Sequence, residues 1–183
     1  MRLLLHFRAI LCTALLALPV HRAAAAEAGV GISDLQAAMR ALGFLDSLPH
    51  DGTLFVGVVY GASVQDGKAA ATEIVGELNS MEGPNSKVLH AEAIPLEGLS
   101  LAQGRLDVLF LLPGSSSTAS TVGDFIRRRH IISISNDPAC LGAGCCVLMV
   151  RTTGTVEIVL DTALADSVGA RFSTVFAMMV KRK

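Results

Sequence analysis

Residues 106–135 read LDVLFLLPGSSSTASTVGDFIRRRHIISIS, and their order decides the fold. Apart from Asp107, residues 106–112 are apolar, the composition of a strand buried on both faces. Pro113 and Gly114 break that run. The hydroxyl residues Ser115, Ser116, Ser117 and Thr118 then lead into a helical pattern over 120–129. Arg127, Arg128 and Arg129 close it, where positive charge complements a helix carboxyl end. Residues 131–135 (IISIS) are β-rich again. Strand, helix and strand in so short a span make a crossover unit, so the two strands run parallel.

The same grammar extends in both directions. Upstream, Ile32, Leu35, Ala38, Met39, Leu42, Leu45 and Leu48 recur at steps of three and four, which predicts a helix over 32–48 with Ser33 or Asp34 as cap. The turn cluster at 49–52 (PHDG) ends it, and 53–60 (TLFVGVVY) reads as a buried strand. A helix over 68–78, a loop over 81–86 and a strand over 87–94 follow. Downstream, 147–152 and 155–160 are β-rich runs separated only by Thr153-Gly154, the spacing of a tight antiparallel hairpin. A helix over 162–168 with Gly169 as its C-cap, an apolar run over 172–180 and a basic tail complete the chain. The expected fold is a single α/β domain: a mostly parallel sheet covered by helices on both faces, with an antiparallel carboxyl-terminal edge hairpin.

The amino-terminal segment is of another kind. Arg2 and Arg8 precede an apolar run over 9–20, Pro19 interrupts it, and Ala23, Ala24, Ala25 and Ala26 supply the small residues that a signal peptidase reads. Residues 1–26 are therefore expected to be a cleaved signal peptide, with 27–183 the mature domain in the periplasm. A cut one or two residues earlier fits as well. The run is shorter than the ~20 apolar residues a membrane span needs, so no membrane insertion is expected after cleavage. Cys12 follows Leu11, where a lipid-attachment signal needs a small residue.

Arg2, Arg8 and Arg22 lie in the leader while all 16 acidic residues lie beyond it, so the mature domain is net acidic and nucleic acid is not an expected partner. Cys140, Cys145 and Cys146 remain, and an exported chain meets oxidising conditions, which favours a disulfide over a zinc site built with His130 or Asp137. Adjacent cysteines bond each other poorly. Strand parity puts Cys145 and Cys146 on opposite faces of the run that they open. The expected bridge joins Cys140 to Cys146, with Cys145 the alternative partner and the remaining thiol buried in the sheet.

The candidate ligand site is the junction at Gly114, Ser115, Ser116 and Ser117, where backbone N–H groups and hydroxyls beyond a strand end can hold an anion; helix capping explains the same residues. Gly142 and Gly144 could line an anion nest or simply turn the loop. No catalytic set emerges. His50, His90 and His130 are scattered, no nucleophile elbow, zincin, P-loop or dinucleotide fingerprint is present, and no cofactor or metal is expected. Asp107, Asp137 and Asp161 sit at element ends, as turn or cap residues do.

The run from 131 onward, IISISND, then PACLGAGCC, the hairpin VLMVRTTGTVEIVLD and the ending ALADSVGARFSTVFAMMV, resembles the YfiR-like periplasmic proteins. LQAAMRALGFLDSLP, LFVGVVYG and DVLFLL fit the earlier part of that pattern. The sequence departs from it in having no Trp before the first strand, where it reads Leu48-Pro49, and in carrying Asp161 where Asn is common. The resemblance implies a non-enzymatic regulator that binds and represses the extracytoplasmic domain of an inner-membrane signalling protein, a diguanylate cyclase or sensor kinase, in cyclic-di-GMP signalling. Release under redox control and a homodimer are compatible with it. The element order also looks like one lobe of a solute-binding protein, with VGVVYG and LFLLPGSSS flanking a small-ligand cleft.

Overall fold

The computed structural model describes residues 29–49, 52–61, 66–114 and 119–183. Its elements follow the chain as α1 (Ile32–Leu42), β1 (Thr53–Tyr60), α2 (Gly67–Ser80), β2 (Val88–Pro95), β3 (Val108–Leu111), α3 (Ala119–Arg129), β4 (Ile132–Ser135), α4 (Pro138–Ala143), β5 (Leu148–Thr153), β6 (Thr155–Leu160), α5 (Thr162–Val168), α6 (Thr174–Met179) and β7 (Lys181–Arg182).

The strands form one sheet in the order β2-β1-β3-β4-β5-β6-β7. β1 pairs in parallel with both β2 and β3, and β4 and β5 continue in parallel. β5 and β6 are antiparallel, with Thr153 opposite Thr155 across Gly154, whose φ of 81° suits the tight turn. The expected single α/β domain with its edge hairpin is the observed one. α2 packs on β1 and β2 and α1 on β5, while α3 packs on α4 and α5. Val56, Val58, Leu109, Phe110, Leu111 and Ile134 are buried at the centre, as strands covered on both faces require.

Polar residues inside this core are satisfied by neighbouring strands. Ser133 and Ser135 are fully buried in β4. Ser133 Oγ accepts the Val147 N–H at 3.1 Å, and Ser135 Oγ donates to the Leu111 carbonyl at 2.9 Å while accepting the Asp137 N–H at 3.1 Å. The alternation IISIS therefore reports lateral stitching rather than a solvent face.

Three expectations change. α1 ends at Gly43, well before residue 48, because the Gly43 N–H closes on the Met39 and Arg40 carbonyls. Leu45 and Leu48 stay buried beyond the helix, and Leu45 bridges Phe172. An irregular segment facing the core thus prolonged the apolar spacing. The N-cap is Gly31, not Ser33 or Asp34, and Asp34 accepts the Gly31 N–H from the first turn at 3.2 Å. The loop PACLGAGCC also contains a helix not expected from its glycines, α4, with Pro138 in its first turn and Asp137 as N-cap.

Candidate functional site: a cleft beyond the sheet's carboxyl edge

β1 has β2 on one side and β3 on the other, so the chain leaves their carboxyl ends in opposite directions. Such a switch point opens a crevice in α/β sheets. Here it holds a recess of about 210 Å³ walled by Tyr60, Ile74 and Leu112. Beside it, over the ends of β3, β4 and β5, lies a cleft of about 450 Å³ lined by Asp34, Gly114, Asn136, Asp137, Arg151 and Thr152 among others. Gly29 and Pro113 border both.

The cleft's floor is organised by Asp34, which is buried. One carboxylate oxygen accepts the Gly31 N–H at 3.2 Å and Asn136 Nδ2 at 3.3 Å. The other accepts the Thr152 N–H at 2.7 Å and the Thr152 hydroxyl. One side chain thus ties α1, the end of β4 and the end of β5 together. Asn136 is only 6% exposed, yet its Oδ1 has no donor, and the buried Nε of Arg151 has no acceptor among the described residues. Arg151 Nη2 itself is held by Glu157 at 2.7 Å.

A second concavity of about 560 Å³ lies between α1, the start of β6 and α6, lined by Arg40, Phe44, Val156, Phe176, Met179 and Lys181 among others. Phe176 stacks on Phe44 and on Phe172, with ring centroids 5.3 and 5.1 Å apart. Of its lining, Val156 and Met179 are 59% and 62% exposed, and Val175 and Met178, also on α6, are 57% and 74% exposed. Glu157 is bonded by Lys181 and Arg151, both at 2.7 Å, which hold its carboxyl below the ordinary range, the Lys181 hydrogen bond foremost.

The residues singled out from sequence fall as follows. Gly114 borders the cleft with φ 86°, whereas Ser115, Ser116, Ser117 and Thr118 lie outside the described residues, as does His50. Gly144 is the left-handed C-cap of α4, with φ 71°. Asp137 caps α4 through the Ala139 N–H at 2.8 Å, and Asp161 caps α5 through the Leu164 N–H at 2.9 Å. Asp107 accepts the Phe55 N–H at 2.9 Å. His90 stands edge-on to Phe55, and His130 follows α3 with φ 54°. No group of three or more metal-ligating side chains occurs among the described residues. Sequence reasoning missed Asn136 and Arg151 and took Asp34 for a local cap. The "SND" after β4 was the available signal, since polar residues directly beyond a buried strand sit where ligands bind.

The disulfide joins Cys140 to Cys145, not to Cys146, with Cα atoms 5.3 Å apart. Gly144 turns the chain back so that the Cys145 N–H donates to the Cys140 carbonyl at 3.0 Å, which aims the Cys145 side chain at Cys140. Its neighbour must then face the other way. Cys146 is a free, buried thiol, pushed up to about 12 by burial, with Asp161 and Asp137 adding and Lys183 opposing. The alternation of faces was right and its assignment reversed.

No family model and no curated protein matches the chain. Among solved structures, the ABC domain in complex with L-Trp from Streptococcus pneumonia is similar at 9% identity with a TM-score of 0.56, over 82% of this chain and 60% of that one. A conserved domain protein from Vibrio cholerae gives a TM-score of 0.56 at 9% identity, over 83% and 60% of the two chains. This chain therefore spans about three fifths of the length of those structures. At such identities the likeness shows a shared α/β fold.

Proposed function

We propose that this chain is an exported, non-catalytic regulatory module that binds the extracytoplasmic domain of an inner-membrane signalling protein in the periplasm. The observation that carries the reading is the exposed apolar side chains of Val156 and Met179 lining the groove between α1 and α6, with Val175 and Met178 also exposed on α6. Scattered exposed apolar residues are ordinary, but a cluster of them flanking a concavity is a protein-binding surface. Its rim is basic. Arg40 has no ion pair among the described residues, and Lys181 shares Glu157 with Arg151, which lies outside the groove, so an acidic partner surface is complementary. The YfiR-like resemblance supplies the class of partner, a diguanylate cyclase or sensor kinase. Reduction of the bridge between Cys140 and Cys145 would loosen the loop after β4 and alter affinity. The test is binding of the purified extracytoplasmic domain of the signalling protein encoded beside this chain. Val156→Glu combined with Met178→Glu should abolish binding while leaving the circular dichroism spectrum unchanged; undiminished binding by that variant refutes the reading.

A second reading, a single-lobe module for a small ligand, is favoured by one observation: the cleft beyond β3, β4 and β5 is walled by Asn136, a buried polar side chain whose Oδ1 has no donor among the described residues. Saturable binding of a small molecule to the exported protein tests it.

A further inference from the structure

We propose that the outer edge of β6 takes an extended, acidic segment of the partner protein as an added strand; this rests on the reading of the groove between α1 and α6 as a partner surface and names how that surface is engaged. β6 runs from Thr155 to Leu160, but β7 pairs only with Val159 and Leu160, so over 155–157 no strand lies beside its outer edge among the described residues. Strand alternation fixes which backbone groups face outward there. The Thr152 N–H is taken by Asp34 rather than by β6, so Thr152 and Val156, which stand opposite each other, form a non-hydrogen-bonded pair and Val156 turns its N–H and C=O to the outer side. The other end of the strand agrees. Leu160, four residues on and so of the same parity, accepts the Lys183 N–H on that outer side.

The groove lies against this edge. Its lining includes Thr155, Val156, Glu157 and Ile158, four consecutive residues of β6. The face of a strand offers only every second residue, so a concavity that meets four in a row meets the strand along its edge. Phe44 and Met179, both exposed, line the same groove and would receive the apolar side chains that an added strand sends to one face. The sheet's other edge is closed by contrast. On β2, Asn79 accepts the Ala91 N–H at 2.7 Å and donates to the Ala91 carbonyl at 3.3 Å, which occupies the groups that a further strand would use. Charge selects the occupant of β6. Arg40 on the groove's rim is exposed and has no ion pair among the described residues, so a carboxylate on the incoming strand is complementary, whereas a second copy would set the same basic rim against itself.

The test uses the exported protein and the purified extracytoplasmic domain of the signalling protein encoded beside this chain. Amide hydrogen exchange followed by NMR should find the Val156 N–H fast in the free protein and slowed at least tenfold in the complex. Val156→Pro removes that N–H at an edge position where β5 does not use it, and should weaken binding at least tenfold beyond Val156→Ala, which loses the side chain and keeps the N–H. Arg40→Glu should weaken binding at least tenfold as well. Should Val156→Pro fail to fold, the exchange measurement on the unaltered protein decides alone. A complex in which the Val156 N–H stays fast overturns strand addition and leaves the partner surface standing, and so does equal binding by the Pro and Ala variants. Absence of binding by the domain overturns both. A dimer in sedimentation that already protects the Val156 N–H assigns the edge to a second copy and overturns the proposal.

Discussion

Replacing Asp34 by Ala removes the acceptor of four hydrogen bonds at once, two of them from groups with no alternative. Gly31 is exposed, so its N–H turns to water, and the Thr152 hydroxyl can rotate. Asn136 Nδ2 and the Thr152 N–H are left inside the protein, each costing ~1–3 kcal/mol as an orphaned donor. A loss of about 4 kcal/mol follows, equivalent to a fall in Tm of about 8–16 °C for a chain of this length. Asp34→Asn should behave differently. If its carbonyl keeps the Thr152 pair, its NH₂ faces Asn136, which can flip and offer Oδ1, the atom that now has no donor. Only the Gly31 N–H then loses its partner, and the cost falls to about 1–2 kcal/mol. Urea denaturation followed by far-ultraviolet circular dichroism measures both variants. Equal losses for Asn and Ala, or a loss below about 1 kcal/mol for Ala, would show that the carboxylate does not organise the cleft floor.

Removing the bridge with Cys140→Ala and Cys145→Ala together should cost about 2 kcal/mol by chain entropy for so short a loop, and non-reducing peptide mapping should recover the Cys140–Cys145 crosslink intact in Cys146→Ala. The Cys146 thiol, raised to about 12 in the folded protein from 9.0, contributes stability that is full below pH 9 and is lost as pH climbs toward 12, since only the unfolded chain releases the proton in that window; Cys146→Ala should flatten the alkaline part of the stability profile, and an unchanged slope refutes the assignment. Because Lys181 and Arg151 hold the Glu157 carboxyl below its ordinary range, carboxyl NMR titration should find it ionised at lower pH than exposed glutamates, and Lys181→Ala should move it back up. Any stability that depends on this depressed carboxyl is present above its unfolded value of 4.5 and disappears as pH drops through the folded one.

What could be read from sequence divides by the range of the interaction. The crossover unit over 106–135 and the hairpin around Gly154 are local, and period and turn chemistry state them outright. That β2 lies outside β1 while β3 lies on its other side is a matter of sheet order, which periodicity does not encode. Asp34 shows the limit most clearly. It stands in the first turn of a helix, where a cap is the natural reading, but its shortest bonds go to Thr152, 118 positions away. Asn136 and Arg151 owe their interest to what they lack, and an unmet hydrogen bond exists only once neighbours are in place. For the cysteines, parity along a strand was decidable and the face was not, because one left-handed residue, Gly144, set it.

The register between β4 and β5 is short, with only Ile134 opposite Leu148 and Ser135 opposite Met149. The Val147 N–H, bonded to the carbonyl and hydroxyl of Ser133, adds the remaining stitches. A join this short lets the parallel body and the hairpin with its appended helices open with different free energies. Asp34 spans that join, accepting from Asn136 after β4 and from Thr152 on β5. Loss of the Asp34 carboxylate would therefore speed amide hydrogen exchange in β5 and β6 while leaving β1 and β3 unaffected.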